Sequence, residues 1–273
     1  MLSSAAGLPA QASEPEGPIR YSAEARNDPR PLRLHWLSID LRAEGYELAV
    51  AMGEDPDGEG PIEATLTPPQ KLAERELFLA AVNTNAWVMM PDPQTGETAG
   101  YVAGGYADVS GWVQTLDGVR SPPQAGYWSL WQDEDGRVRV GNPHEPPAAK
   151  WAVSGFRGLL KDGEILPRPS DVRHPRTAAG VDRSGRRLTL LVVDGRRAGY
   201  SEGVSERELA ELLLEAGCRD ALNLDGGGSS VMLLGDTPGE LTVMNRPSGA
   251  FGPRPVPVML GVRQQAAVLE PAR

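Results

Sequence analysis

The chain has 273 residues, 40% of them hydrophobic and 23% charged, a balance that excludes a disordered chain, and a mainly β chain of this length need not divide in two, so one folded domain is expected. Its formal net charge of −10 sets up a field that disfavours nucleic acid and anionic membrane as partners, so an anionic substrate must be met by a local cluster of arginines. One cysteine and three histidines argue against a disulfide framework and against a Cys/His zinc site, and no apolar run reaches the roughly 18 residues of a membrane-spanning helix.

Residues 1–28 are rich in Ala, Ser, Pro and Glu without a period, and Ala10-Gln11-Ala12 is a small-residue pattern like that before a signal-peptidase cut. They are expected to be a disordered leader or the remnant of a signal peptide, which points to an extracellular or periplasmic protein. The folded domain is expected over 29–266 and a tail over 267–273. From Pro31 to Leu66 the residues alternate as in antiparallel strands, first around Leu32, Leu34 and Trp36, then over Tyr46 to Met52. The acidic residues of Asp55-Pro-Asp-Gly-Glu59 are spaced like the first ligands of a calcium loop. Leu66 stands where the closing glutamate belongs, so the segment reads as a solvated hairpin loop.

The apolar run Leu77 to Val82 predicts a buried strand that empties into the polar loop Asn83-Thr-Asn-Ala-Trp87. Between Pro91 and Lys150, Asp117-Gly118 and Asp135-Gly136 mark hairpin turns. Tyr127, Trp128 and Trp131 are either core packing or a platform for the apolar face of a sugar. Leu188 to Val193 predicts a central strand ending at Asp194. Ser205 followed by Glu208 is a capping box, Leu209, Leu212, Leu213 and Ala216 recur at helical spacing, and Gly217 is placed to end the helix. Cys218 just beyond is expected to be a small buried residue. Ala221 to Leu224 and Val231 to Leu234 are the next strands. Strand, helix and strand would bring Asp194 and Asp225 to the ends of parallel neighbours, on one edge of the sheet.

Asp225 opens the run Asp-Gly-Gly-Gly-Ser-Ser230. Three glycines in a row suit a chain that needs positive φ or that lets a ligand approach its backbone, and Gly226, Gly227 and Gly228 could aim several N–H groups at one anion. Ser229 and Ser230 add hydroxyl donors. The Gly-Lys-Ser/Thr of a nucleotide-binding phosphate loop is missing.

Asn223-Leu-Asp-Gly-Gly-Gly-Ser-Ser230 resembles the signature of the phosphodiester glycosidase family. Arg176-Thr-Ala-Ala-Gly-Val181, Val193-Asp-Gly-Arg196, Asn245-Arg-Pro-Ser248 and Arg254-Pro-Val256 agree in order and spacing, so the resemblance covers roughly Leu77 to Val262. Where the family has an Asn-Gly loop, this chain reads Asn83-Thr84, and a Cβ at position 84 would narrow any pocket that it lines.

The resemblance implies an α+β fold, a single domain on a large mixed, mainly antiparallel β-sheet with a few helices. It also implies a hydrolase that cleaves a sugar, such as an N-acetylhexosamine, from the phosphate of a sugar 1-phosphodiester. Guanidinium groups bind non-bridging phosphate oxygens bidentately, which nominates Arg176 and Arg254. The oxocarbenium-like state needs a carboxylate, and Asp225 is the first candidate, Asp194 the second. Thr177, Asn83, Asn223, Gly226, Gly227, Ser229 and Ser230 complete the expected substrate-binding set. No cofactor is assigned beyond a divalent cation, Ca2+ or Mg2+, which is left open. Two alternatives stay open: a carbohydrate- or envelope-binding module without turnover, and a phosphodiesterase in which Asp194 and Asp225 hold Ca2+ or Mg2+.

Overall fold

The computed structural model describes residues 17–58, 60–249 and 252–265; the Ala10–Ala12 pattern and the 267–273 tail lie outside them. The α+β fold with mainly antiparallel strands is what forms. Its strands divide among sheets of seven, five, five and three, and every pairing between named strands is antiparallel.

In the seven-stranded sheet the order is Ile19–Arg26, Leu32–Asp40, Arg187–Val193, Arg176–Val181, Asp220–Asn223, Arg157–Lys161 and Glu164–Ile165. Two expectations are corrected here. Ile19–Arg26 is an edge strand paired with Leu32–Asp40 from Ile19↔Ile39 to Arg26↔Leu32, so the stretch expected as leader is part of the sheet from Ile19 onward. The strands that precede Asp194 and Asp225 do run in one direction, but Arg176–Val181 lies between them and pairs antiparallel with both.

The continuous apolar run 188–193 is explained by burial on both faces. Leu188, Leu190 and Val192 enter the main core, while Leu191 and Val193 face the other way, against Leu209 and Leu213 of the Glu206–Glu215 helix. That helix starts as the capping box requires: Oγ of Ser205 accepts from the Glu208 N–H at 3.2 Å, and the Glu208 carboxylate accepts from the Ser205 N–H at 2.8 Å. It ends at Glu215, and Gly217 follows with a φ of 87°. Cys218 is buried against this layer as a free thiol.

A five-stranded sheet, ordered Glu240–Val243, Met232–Thr237, Phe78–Asn83, Val258–Gln264 and Tyr46–Met52, repeats the same logic. Ala80 and Val82 point into the main core, and Phe78 and Ala81 pack outward against Leu72 and Ala73 of the Pro69–Arg75 helix. The main core thus lies between these two sheets, each backed by a helix, and the other five-stranded sheet adds Val113, Leu130, Val138, Val140, Trp151 and Val153 to it. Both Asp-Gly pairs of the middle third sit at hairpins, Val113–Thr115 with Gly118–Ser121 and Trp128–Gln132 with Val138–Gly141. The 53–63 segment, by contrast, is no hairpin: Tyr46–Met52 and Ala64–Thr65, on either side of it, belong to different sheets. Asp55 in it accepts from the N–H groups of Asp57 and Gly58 and pairs with Arg120 at 3.1 Å.

Candidate active site

The two large sheets meet where Phe78–Asn83 and Asp220–Asn223 end, and Asn83 is the pin between them. Its Nδ2 donates to the Asp225 carbonyl at 2.7 Å, and its Oδ1 accepts from the Thr177 hydroxyl at 2.8 Å and the Val231 N–H at 3.1 Å. The Asp225 N–H donates to the Thr84 carbonyl, and the Leu224 N–H to the Thr177 carbonyl. Asn83 and Thr177 are buried with their hydrogen-bonding capacity turned inward, so they fix the backbone of the site rather than line it. Thr84 is fully buried and has no positive φ, so its Cβ neither strains the chain nor narrows the cleft as expected. Asn223 and Ser230 are equally buried, and Oδ1 of the one and Oγ of the other have no hydrogen-bond partner among the described residues.

Above this floor the glycine run closes a short 3-10 turn, Gly227–Ser229, with the Gly227 N–H donating to the Pro175 carbonyl at 2.8 Å. Each glycine faces a different arginine. A Cβ at Gly226 would stand 3.8 Å from Cδ of Arg176, one at Gly227 3.2 Å from Nη2 of Arg196, and one at Gly228 2.8 Å from Cζ of Arg254. The missing side chains therefore let the guanidinium groups of Arg196 and Arg254 and the stem of Arg176 approach one turn, and Gly227 also takes a φ of 64° that suits glycine.

Asp225 is half-buried at the foot of this turn. Loss of hydration pushes its carboxyl up to about 6, against the opposing pull of the Ser229 hydroxyl, Arg254 and the Gly226 N–H. Arg254 reaches Oγ of Ser229 at 3.4 Å and lies over the ring of Tyr101, 4.2 Å from its centroid; Tyr101 in turn meets Trp87 edge-on at 5.9 Å. Arg176 donates to the Val204 carbonyl and pairs with Glu206 at 3.5 Å; burial lowers its pKa, and the nearby Arg196 lowers it further against the pull of Glu206. His174, 3.4 Å from Arg196, has its pKa depressed by burial and by Arg176 and Arg196. Burial is the larger cause in both, and repulsion from Arg196 adds to each.

Asp194 ends its strand at the same end of the sheet but does not share this cleft. It is 1% exposed, and its oxygens accept from Nδ2 of Asn245 at 3.0 Å, the Arg246 N–H at 3.0 Å and the Tyr200 hydroxyl at 3.1 Å, with Nε2 of His35 at 3.4 Å. With its lone pairs so occupied it is not placed to share a cation with Asp225, and no cluster of three or more His, Cys, Asp or Glu that could hold a metal occurs among the described residues. The aromatic trio is also distributed differently from a single platform. Tyr127 packs on Phe156 and Trp131 on Trp112, while Arg254, which faces Gly228, lies over Tyr101, and Tyr101 meets Trp87.

Residues 79–263 match the family model described as phosphodiester glycosidase. The chain belongs to the phosphodiester glycosidase family. It is 47% identical over 167 residues to bovine N-acetylglucosamine-1-phosphodiester alpha-N-acetylglucosaminidase, an alignment covering 53% of this chain and 29% of that protein. It is 30% identical over 179 residues to the SPbeta prophage-derived protein YomE of Bacillus subtilis, covering 58% of this chain and 24% of that one. The chain therefore spans less than a third of the length of these relatives. Among solved structures, the zebrafish N-acetylglucosamine-1-phosphodiester alpha-N-acetylglucosaminidase catalytic domain, auto-inhibited by its pro-peptide, superposes with a TM-score of 0.62 at 20% identity. That superposition covers 93% of this chain and 86% of the other and supports the family's fold.

Proposed function

We propose that this family member is a hydrolase that cleaves the anomeric C–O bond of a sugar 1-phosphodiester, with an N-acetylhexosamine as the sugar. The observation that carries the reading is the glycine turn bordered by Arg176, Arg196 and Arg254 beside the half-buried carboxylate of Asp225. Guanidinium groups suit the two non-bridging oxygens of a phosphodiester, and an otherwise acidic chain concentrates them here. The bovine relative's name supplies the choice of sugar.

In the proposed reaction the anomeric C–O bond breaks and its electron pair leaves with the phosphate as a monoester, water supplying the new C1–O bond. The developing charge on phosphate falls among the arginines, so a strong general acid is less necessary than for an ordinary glycoside. Ionised Asp225 stabilises the oxocarbenium-like state, as nucleophile or as base for water. Asp194 acts as a positioning residue, holding the chain that leads to Arg196. Tyr101 and Trp87 offer ring faces and edges to the sugar. The reading extends to an extracellular or periplasmic setting, supported by the Ala10–Ala12 pattern.

Asp225→Asn tests the assignment. The variant should fold and lose about a hundredfold or more in kcat, with KM little changed or lower, because asparagine keeps the shape without the charge. In the native chain kcat/KM should rise with pH through about 6, where the carboxyl ionises. Release of free sugar at the native rate by Asp225→Asn, or release of sugar phosphate in place of free sugar, would overturn the proposal.

A further inference from the structure

A cavity of about 610 Å3 lies beside the glycine turn and shares Arg176 with it. Its other charged lining residues are Arg157, Arg168 and Glu206. Arg157 stands opposite Asn223 in the strand register, so the cavity flanks the strand that leads, two residues on, to Asp225. Glu206 is taken up by Arg176. Arg157 and Arg168 make no ion pair or side-chain hydrogen bond among the described residues, so the cavity keeps an uncompensated positive charge in a chain whose formal net charge is −10. Trp128 forms another wall. A Cβ at Gly158 would come within 2.7 Å of its indole, so glycine at that position is what allows the ring to lie flat on the Arg157–Lys161 strand.

We propose that this cavity is a second anion subsite that takes a phosphate or carboxylate on the leaving-group side of the substrate, making the protein selective for sugar phosphodiesters whose aglycone carries a further negative charge. The inference rests on the reading of the glycine turn as the place where the first phosphate binds. Arg176 is the bridge: it borders Gly226 on one side and the cavity on the other, so one ligand can reach both anion sites. Arg157 and Arg168 hold the second anion, and Trp128 covers the apolar part of the linker between the two. The volume falls within the range of small-molecule sites and has room for more than a methyl aglycone.

The test compares two probes, the methyl ester of N-acetylglucosamine 1-phosphate and the corresponding diester with glycerol 3-phosphate. Equilibrium binding is measured by calorimetry on Asp225→Asn, so that turnover does not interfere, with and without Arg157→Gln and Arg168→Gln. The charged-aglycone ester should bind about tenfold tighter than the methyl ester, and the double substitution should remove that advantage while leaving methyl-ester binding within about twofold. The advantage should also shrink with added salt, because both arginines are exposed. Equal binding of the two esters, or an advantage that survives the double substitution, would overturn the subsite. Turnover on the native chain is read separately: an intact tenfold difference in binding with no C–O cleavage of either ester overturns the proposed reaction and keeps the subsite, and binding of neither ester overturns both.

Discussion

Asp194 and Asp225 both end apolar strands at one end of a sheet, yet Asp194 is enclosed by hydrogen-bond donors while Asp225 is half-buried with few. Asp194 is the acceptor for Asn245, the Arg246 backbone and Tyr200, and Tyr200 is held between the guanidinium groups of Arg33 and Arg246, 5.3 and 5.2 Å from its centroid. Removing a buried carboxylate from such a set strands several donors at once. Asp194→Ala should therefore cost about 3–5 kcal/mol, seen in a denaturant titration or as a melting temperature lower by about 6–15 °C. A variant that melts like the parent and has lost turnover would instead move Asp194 to the reacting centre. At this scale Asp225 and the glycines were legible, because an aspartate before three glycines has few purely structural uses. His174 and Tyr101 were not, and Arg196 was visible only as the last residue of Val193-Asp-Gly-Arg196, without a role. Arg196 adopts a φ of 59°, a backbone that favours glycine, and its neighbours come from segments far apart in the chain, so the local pattern does not show what it faces.

Elements with a short-range signal were legible to within a residue or two, and the Glu206–Glu215 helix is the clearest, since its cap, its apolar spacing and its terminating glycine all agree. Strand neighbours are set by contacts between segments distant in sequence, which is why the insertion of Arg176–Val181 between two strands read as adjacent left no trace in the local pattern. The same holds for Ile19–Arg26, whose burial alternates too weakly to separate it from a leader by composition. The helix also bears on the site, since Glu206 in its first turn holds Arg176. Ser205→Ala removes the hydroxyl that accepts from Glu208 and should lower stability by about 1 kcal/mol. Because the first turn remains packed through Leu209 and Leu213, kcat should stay within about twofold. A larger loss of kcat than of stability would mean that the cap positions Arg176 and not the helix alone.

Across the whole molecule, stability and function are coupled through Asp225. Several carboxyls are held below their ordinary values, among them Glu24 by its hydrogen bond from Arg26 and Asp40, at about 2, by its hydrogen bond from Arg42. Such groups contribute stability that is present above the unfolded pKa and lost as pH falls through the folded one. Asp225 has the opposite sign. Its folded value of about 6 lies above the ordinary 3.8, so between those values the native state holds a proton that the unfolded chain has released. Its contribution is complete below about 3.8 and is lost as pH rises through about 6, so a neutral-pH protein carries the cost of an ionised, poorly hydrated carboxylate. Asparagine at 225 never ionises and escapes that cost. The stability of Asp225→Asn relative to the parent should therefore be near zero at pH 3.5 to 4 and rise across pH 4 to 6.5. It should level off at pH 7 with the variant about 1–2 kcal/mol more stable, a figure reduced for the partial exposure of the site. Parallel urea titrations of the two proteins at a series of pH values isolate this difference, because the acid-sensitive groups are common to both. A constant difference across the series would show that Asp225 is ionised as easily in the folded chain as in the unfolded one, and would remove the ground for placing the rise in kcat/KM near pH 6.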